Sequence, residues 1–147
     1  MDAYGAERIL DEALLRTVAR RLGKLTRIET VSVFPAEKSE SVVASPDLQY
    51  YPEPFDEVTL EVRTYTDGSF YVIYRERCAG VDWMCRWDRH DNPHSSRDHF
   101  HRPPDAQTDD AVDRDFDADL LDALETVLDA VDDRLGAVDA REDGPVD

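Results

Sequence analysis

Residues 57–88 hold three runs of alternating side chains joined by two short turns, and this pattern limits the fold more than any other feature of the chain. In Glu57–Thr66, Val58, Leu60, Val62 and Thr64 fall on one side, with Glu61, Arg63 and Tyr65 on the other. Asp67-Gly68 is a hairpin dipeptide, since glycine supplies the positive φ that a two-residue turn needs. Ser69–Cys78 sets Phe70, Val72 and Tyr74 against Tyr71, Ile73, Arg75 and Arg77. After a turn near Ala79-Gly80-Val81, Trp83, Cys85 and Trp87 alternate with Met84, Arg86 and Asp88. Successive strand residues point to opposite faces. The pattern therefore predicts an antiparallel sheet with one apolar face and one basic, aromatic face carrying Arg63, Arg75, Arg77, Arg86, Tyr65 and Tyr71.

The flanking segments supply helices. Residues 6–24 have a helical period, with Ile9, Leu10, Leu14, Val18 and Leu22 on one side and Gly23 as the stop. Arg27–Phe34 reads as a strand ending at Pro35. Residues 36–56 contain Pro46, Pro52 and Pro54 and show no stable period, so a long surface connection is expected, with Tyr50, Tyr51 and Phe55 pinned onto the sheet. A second helix is expected over Asp117–Leu135, with Leu120, Leu124, Val127, Leu128 and Val131 in its stripe. Asp115 or Asp117 would cap it and Gly136 would end it. The expected architecture is one α+β domain, residues 1–138: an N-terminal helix, about four antiparallel strands and a C-terminal amphipathic helix, both helices on one sheet face. Residues 139–147 are expected to be an acidic disordered tail.

Charge restricts the environment. The chain has a net charge of −17. Aspartate outnumbers glutamate 23 to 11, and arginine outnumbers lysine 15 to 2. That balance resembles proteins working in multimolar salt, as in a halophilic archaeon, where a Debye length of about 3 Å makes self-repulsion tolerable. Acidity of this kind does not argue against nucleic-acid binding, and the placement of positive charge becomes the informative signal. No apolar run approaches the roughly 20 residues of a membrane span, and the N-terminal residues lack a signal-peptide core, so a cytoplasmic protein is expected. Cys78 and Cys85 are expected on the two arms of a hairpin, with Cys78 opposite roughly Asp82, so a disulfide is not expected.

All four histidines, His90, His94, His99 and His101, fall between Cys85 and Pro104, together with Arg86, Arg89, Arg97 and Arg102. This stretch reads as a loop leaving the basic face, and three readings compete for it. Imidazoles and a thiolate suit zinc, and Cys85, His90, His94, His99 and His101 would be the donors, although no paired C-x2-C clip is present. Alternatively, the loop performs phosphodiester chemistry without metal or another cofactor. Cleavage of RNA by its own 2′-OH needs a base and an acid, and imidazole serves as either near neutral pH. His94, His99 and His101 are the acid–base candidates, Asp88 orients a histidine or Arg89, and Arg86 stabilises the phosphorane. Arg89, Arg97, Arg75, Arg77 and Tyr65 would contact substrate. In the third reading the same acids and arginines form an ion-pair knot that only pins the loop. Catalysis, metal binding and non-catalytic nucleic-acid binding thus all stay open.

Arg86-Trp87-Asp88, then Pro93-His94, then His99-x-His101 resemble the R-W-D … P-H … H-x-H stretch of TumE-type toxins. Glu61-Val62-Arg63 and Tyr71–Tyr74 are also similar, so the resemblance spans about residues 57–104. It departs from the pattern in the 36–56 connection, the acidic tail and Arg89-His90. The chemistry of the histidine loop makes RNA the favoured target. The resemblance implies a cytosolic toxin of a toxin–antitoxin pair and a helix-turn-helix antitoxin encoded beside it. It carries over no catalytic assignment.

Overall fold

The computed structural model describes residues 8–90, 98–107 and 111–143, with side chains through Val138. The helices are α1 (Glu12–Gly23) and α2 (Leu120–Asp143). The strands are β1 (Ile28–Val33), β2 (Val42–Pro46), β3 (Phe55–Thr64), β4 (Phe70–Cys78), β5 (Val81–Arg89), β6 (Asp98–His101) and β7 (Ala111–Asp113). Among the described residues these strands form one seven-stranded sheet in sequence order, each antiparallel to its neighbour.

The α+β class is as expected, but four strands are too few. β2 comes from the supposed connection. Ser41-Val42-Val43-Ala44-Ser45 is too short and too close to Pro46 to declare a period, yet it bridges β1 and β3 with Val42 and Ala44 fully buried. β6 comes from the stretch that read as a loop, and β7 from the residues before the second helix that show no period of their own. Tyr51 is pinned as expected and its ring meets Phe55, whereas Tyr50 is exposed.

Register explains the core. Val42, Val62, Val72, Trp87, Phe100 and Val112 form one row across the sheet, and Ala44, Leu60, Tyr74 and Cys85 form the next. Leu15, Val18 and Leu22 of α1 and Leu120, Leu124 and Val127 of α2 join these rows in one apolar cluster. Both helices therefore cover the same face, as the alternation predicts. Trp83 is inward too, but only partly buried.

That face also holds a buried polar chain that alternation does not signal. The Glu76 carboxylate, 1% exposed, accepts two hydrogen bonds from Arg134 of α2 at 2.9 and 2.7 Å and one from the Tyr74 hydroxyl at 2.7 Å. Arg134 lies over the Trp83 ring at 3.7 Å. A buried acid is tolerable only with such partners, and here they lock α2 to β4.

Several boundaries differ from expectation for local reasons. Residues 8–11 are not helical, because Asp11 N and Thr66 N bond to Thr64 O and Ile9 O across the sheet end. Asp11 then caps α1 through Leu14 N at 3.1 Å, and Ile9 is exposed. Residues 6 and 7 lie outside the described set. Gly23 ends α1 as expected. The β4–β5 turn is Ala79-Gly80 alone, both at positive φ, so Cys78 faces Val81 and Arg77 faces Asp82. Both cysteines are free. The α2 cap is Asp119, which bonds Leu121 N at 3.0 Å, rather than Asp115 or Asp117. The helix also passes through Gly136. A glycine inside a helix costs only about 1 kcal/mol relative to alanine, and burial of Val138 beyond it offsets that.

Candidate functional site

Within the stretch expected to be a loop, residues 85–89 belong to β5 and residues 98–101 to β6. From Arg86 to His90 every second side chain leaves the helix-covered face, and β6 does the same with His99 and His101. Cross-strand pairing sets Arg86 opposite His101 and Asp88 opposite His99. On the far side of β6, Asp113 of β7 is opposite His99. On the far side of β5, Tyr71 of β4 is opposite Asp88, and Arg63 of β3 is opposite Tyr71. The cluster therefore follows from strand parity.

Asp88 is its centre. Its Oδ2 accepts from His101 Nε2 at 2.8 Å and from Arg86 Nε at 3.2 Å. Arg86 Nη2 also lies 3.1 Å from His101 Nε2, and His101 Nδ1 lies 3.4 Å from the Gln107 carbonyl. Asp88 Oδ1 faces His99 Nδ1 at 3.6 Å and His90 Nε2 at 3.9 Å. His99 Nε2 lies 3.5 Å from Asp113 Oδ1, and the His90 and His99 rings stack at 5.2 Å. Asp88 and His101 are 7% and 4% exposed. The accessible imidazoles are His90, with 38% of its side chain exposed, and His99, with 12%.

The residues expected at the site separate into groups. Arg86, Asp88, His99 and His101 come together, and His90 joins them. His94 and Arg97 lie outside the described residues. Arg75 is exposed on the same open face. Arg77 is exposed and paired with Asp82 at 3.1 Å, which raises its guanidinium further above the usual range. Tyr65 is half-buried beneath Arg8, 5.4 Å from its ring. Arg63 lies 5.0 Å over Tyr71, whose hydroxyl burial pushes up to about 12 despite the arginine.

Arg89 and Cys85 have the other parity and point beneath the helices. Arg89 bonds Asp98 through Nε at 2.7 Å and Nη2 at 2.8 Å. Its remaining donors reach the carbonyls of Phe116, Asp117 and Ala118 at 3.0, 3.0 and 3.1 Å. The guanidinium is consumed in joining β6 and the lead-in to α2, not presented on the open face. Cys85 is 5% exposed, and burial, helped by Glu76, pushes its thiol up to about 12. It does not stand with the histidines, so the five-donor set with Cys85 is not assembled. Asp113 went unnoticed in the sequence, although the alternation of Ala111-Val112-Asp113 beside His99-x-His101 is a short signal of it.

An antiparallel meander with both helices on one face, and a buried carboxylate holding imidazoles and an arginine on the other, defines a small α+β protein with a polar sheet-face site. The chain belongs to the TumE toxin family: the family profile, Toxin TumE, matches residues 16–135. That span runs from within α1 to within α2 and includes every described strand. Residues 36–56 and 120–135 lie within the matched span. No curated protein and no solved structure matches the chain. No helix among the described residues is long and apolar enough to cross a membrane.

Proposed function

We propose that this chain is the toxin of a toxin–antitoxin pair, that its partner is a helix-turn-helix antitoxin from a neighbouring gene, and that it acts in the cytoplasm on RNA at the open sheet face. The observation that carries the RNA reading is the Asp88 cluster: a buried carboxylate, two imidazoles at its free edge and Arg86, on the face to which neither helix packs. In this reading His99, between Asp88 and Asp113 and still accessible, takes the proton from a ribose 2′-OH, and protonated His90, stacked beside it, gives a proton to the departing 5′-oxygen, without help from a metal. His101 holds Asp88 from below and is too enclosed to reach substrate. Arg86 meets the charge that develops on the phosphorane, and exposed Arg75 offers positive charge along the path of the strand.

The test is cleavage of labelled RNA by purified protein in excess EDTA. Products should end in 2′,3′-cyclic phosphate, the mark of attack by the neighbouring hydroxyl. General acid–base assistance is typically worth about 10²–10⁴-fold, so His99→Ala with an unchanged melting curve should leave almost no cleavage. RNA bound but never cut would leave a binding module, and no interaction with RNA would end the reading. Co-purification with the product of an adjacent gene tests the partner separately.

A further inference from the structure

We propose that Asp88 Oδ1, His90 Nε2 and His99 Nδ1 form a site for one divalent cation of the zinc, cobalt and nickel class. One carboxylate oxygen of Asp88 and one ring nitrogen each from His90 and His99 lie within 4.8 Å of one another. Asp88 Oδ1 is 3.6 Å from the His99 nitrogen and 3.9 Å from the His90 nitrogen. Both separations are too long for hydrogen bonds. They approach the spacing of two ligands on one ion, since donors about 2.0–2.1 Å from a tetrahedral zinc are about 3.4 Å apart. Closing the remainder takes tenths of an ångström at His99 and a small swing of His90, which sits just past the end of β5 and is the most exposed of the three.

A second observation points to a ligand independently. Asp88 Oδ1 is buried and has no hydrogen-bond partner among the described residues, although Asp88 as a whole is 7% exposed. A buried carboxylate oxygen without a donor is unfavourable and rare, and this one is aimed at two imidazole nitrogens. The supporting layer is also in place. His101 and Arg86 hold Oδ2 and so fix the direction of Oδ1, while Asp113 stands behind the far nitrogen of His99. Outer carboxylates and hydrogen bonds of this kind orient the donors of metal sites. Two imidazoles and one carboxylate favour a borderline cation over magnesium or calcium, which prefer all-oxygen shells. A bound cation would occupy the His99 Nδ1 lone pair, so the acid–base chemistry proposed above describes the metal-free protein. Binding itself does not rest on that chemistry.

The experiment is a titration of untagged protein with Co2+, followed by visible absorption and then by competition with Zn2+. One ion per chain is expected, with the d–d bands of a nitrogen–oxygen site. Loss of an outer-layer partner typically weakens metal binding about 10–100-fold, so loss of a ligand in His90→Ala should weaken it by at least about 100-fold. In the unmutated protein, Zn2+ should shift the imidazole NMR signals of His90 and His99 together, a result that needs no variant to fold. Absence of binding at millimolar Co2+, unchanged affinity in a folded His90→Ala, or shifts confined to other histidines would overturn the site. RNA cleavage measured with and without Zn2+ separates the two proposals. Binding without any RNA activity sinks only the RNA reading, and cleavage without binding sinks only the metal site.

Discussion

Arg89→Ala separates a scaffold arginine from a substrate contact. Arg89 and Asp98 are 8% and 7% exposed, their side chains meet through two hydrogen bonds at 2.7 and 2.8 Å, and Arg89 lies over the Phe70 ring at 5.1 Å. Asp98 Oδ2 also accepts from Phe116 N at 2.8 Å. Truncation leaves the carboxylate and three carbonyls without their shared donor, in a place water reaches poorly. Breaking a buried pair from one side costs about 3–5 kcal/mol, against a total stability of about 5–15 kcal/mol for a domain. At about 2–4 °C per kcal/mol for a chain near this size, the melting temperature should fall by about 6–20 °C. Arg89→Lys should recover little, because an ammonium cannot reproduce the planar fork that reaches Asp98 and the carbonyls together. The assay is thermal and urea unfolding of both variants, beside RNA affinity measured well below the lowered melting temperature. A loss under about 1 kcal/mol, within reach of ordinary surface substitutions, together with weakened RNA binding, would refute the reasoning and return Arg89 to the substrate side.

Trp87, 4% exposed in the central row of the core, should cost about 3–5 kcal/mol on replacement by alanine, and exposed Arg75 under about 0.5 kcal/mol, by urea unfolding. Burial pushes the Tyr51 hydroxyl up to about 12, while its hydrogen bond to Tyr74 partly opposes the shift. A folded-state value above the unfolded one near 10 means stability that is complete below about pH 10 and lost as pH rises toward 12, so alkaline unfolding should coincide with tyrosinate absorbance in that window. Replacing the exposed Asp122, Asp129 and Asp133 of α2 with asparagine should lower solubility in multimolar salt and leave toxicity unchanged, as read from precipitation curves and growth of an expressing host.

How much of the fold the sequence discloses depends on run length. β3, β4 and β5 each have nine or ten residues, enough for alternation to declare both strand and face. β2, β6 and β7 have three to five and draw their stability from neighbours on both sides or from cross-strand pairs such as Phe100 against Trp87, which local sequence does not reveal. The Glu76–Arg134 pair spans 58 positions, and a glutamate flanked by Arg75 and Arg77 gives no hint of that distant partner. Helix ends fail for a related reason. Several aspartates precede α2, and the choice of Asp119 depends on Arg89 holding the carbonyls just before it.

The site is legible in composition and illegible in orientation until strand parity is known. Clustering of the histidines marks the place, but treating the stretch as a loop lets every charged residue share one surface. Once β5 extends to Arg89, even positions from Arg86 to His90 take the open face, while Cys85 and Arg89 must turn inward. The same rule applied to β6 brings His99 and His101 out and buries Asp98 beneath Arg89. One parity argument therefore separates the Cys85 thiol from the imidazoles, turns Arg89 from the open face toward Asp98, and leaves Asp88 between imidazoles with one oxygen held and one free. In a chain of net charge −17, β5 thus turns Arg89 inward against Asp98 and keeps Arg86 and Asp88 outward with the imidazoles, on a surface that neither helix covers.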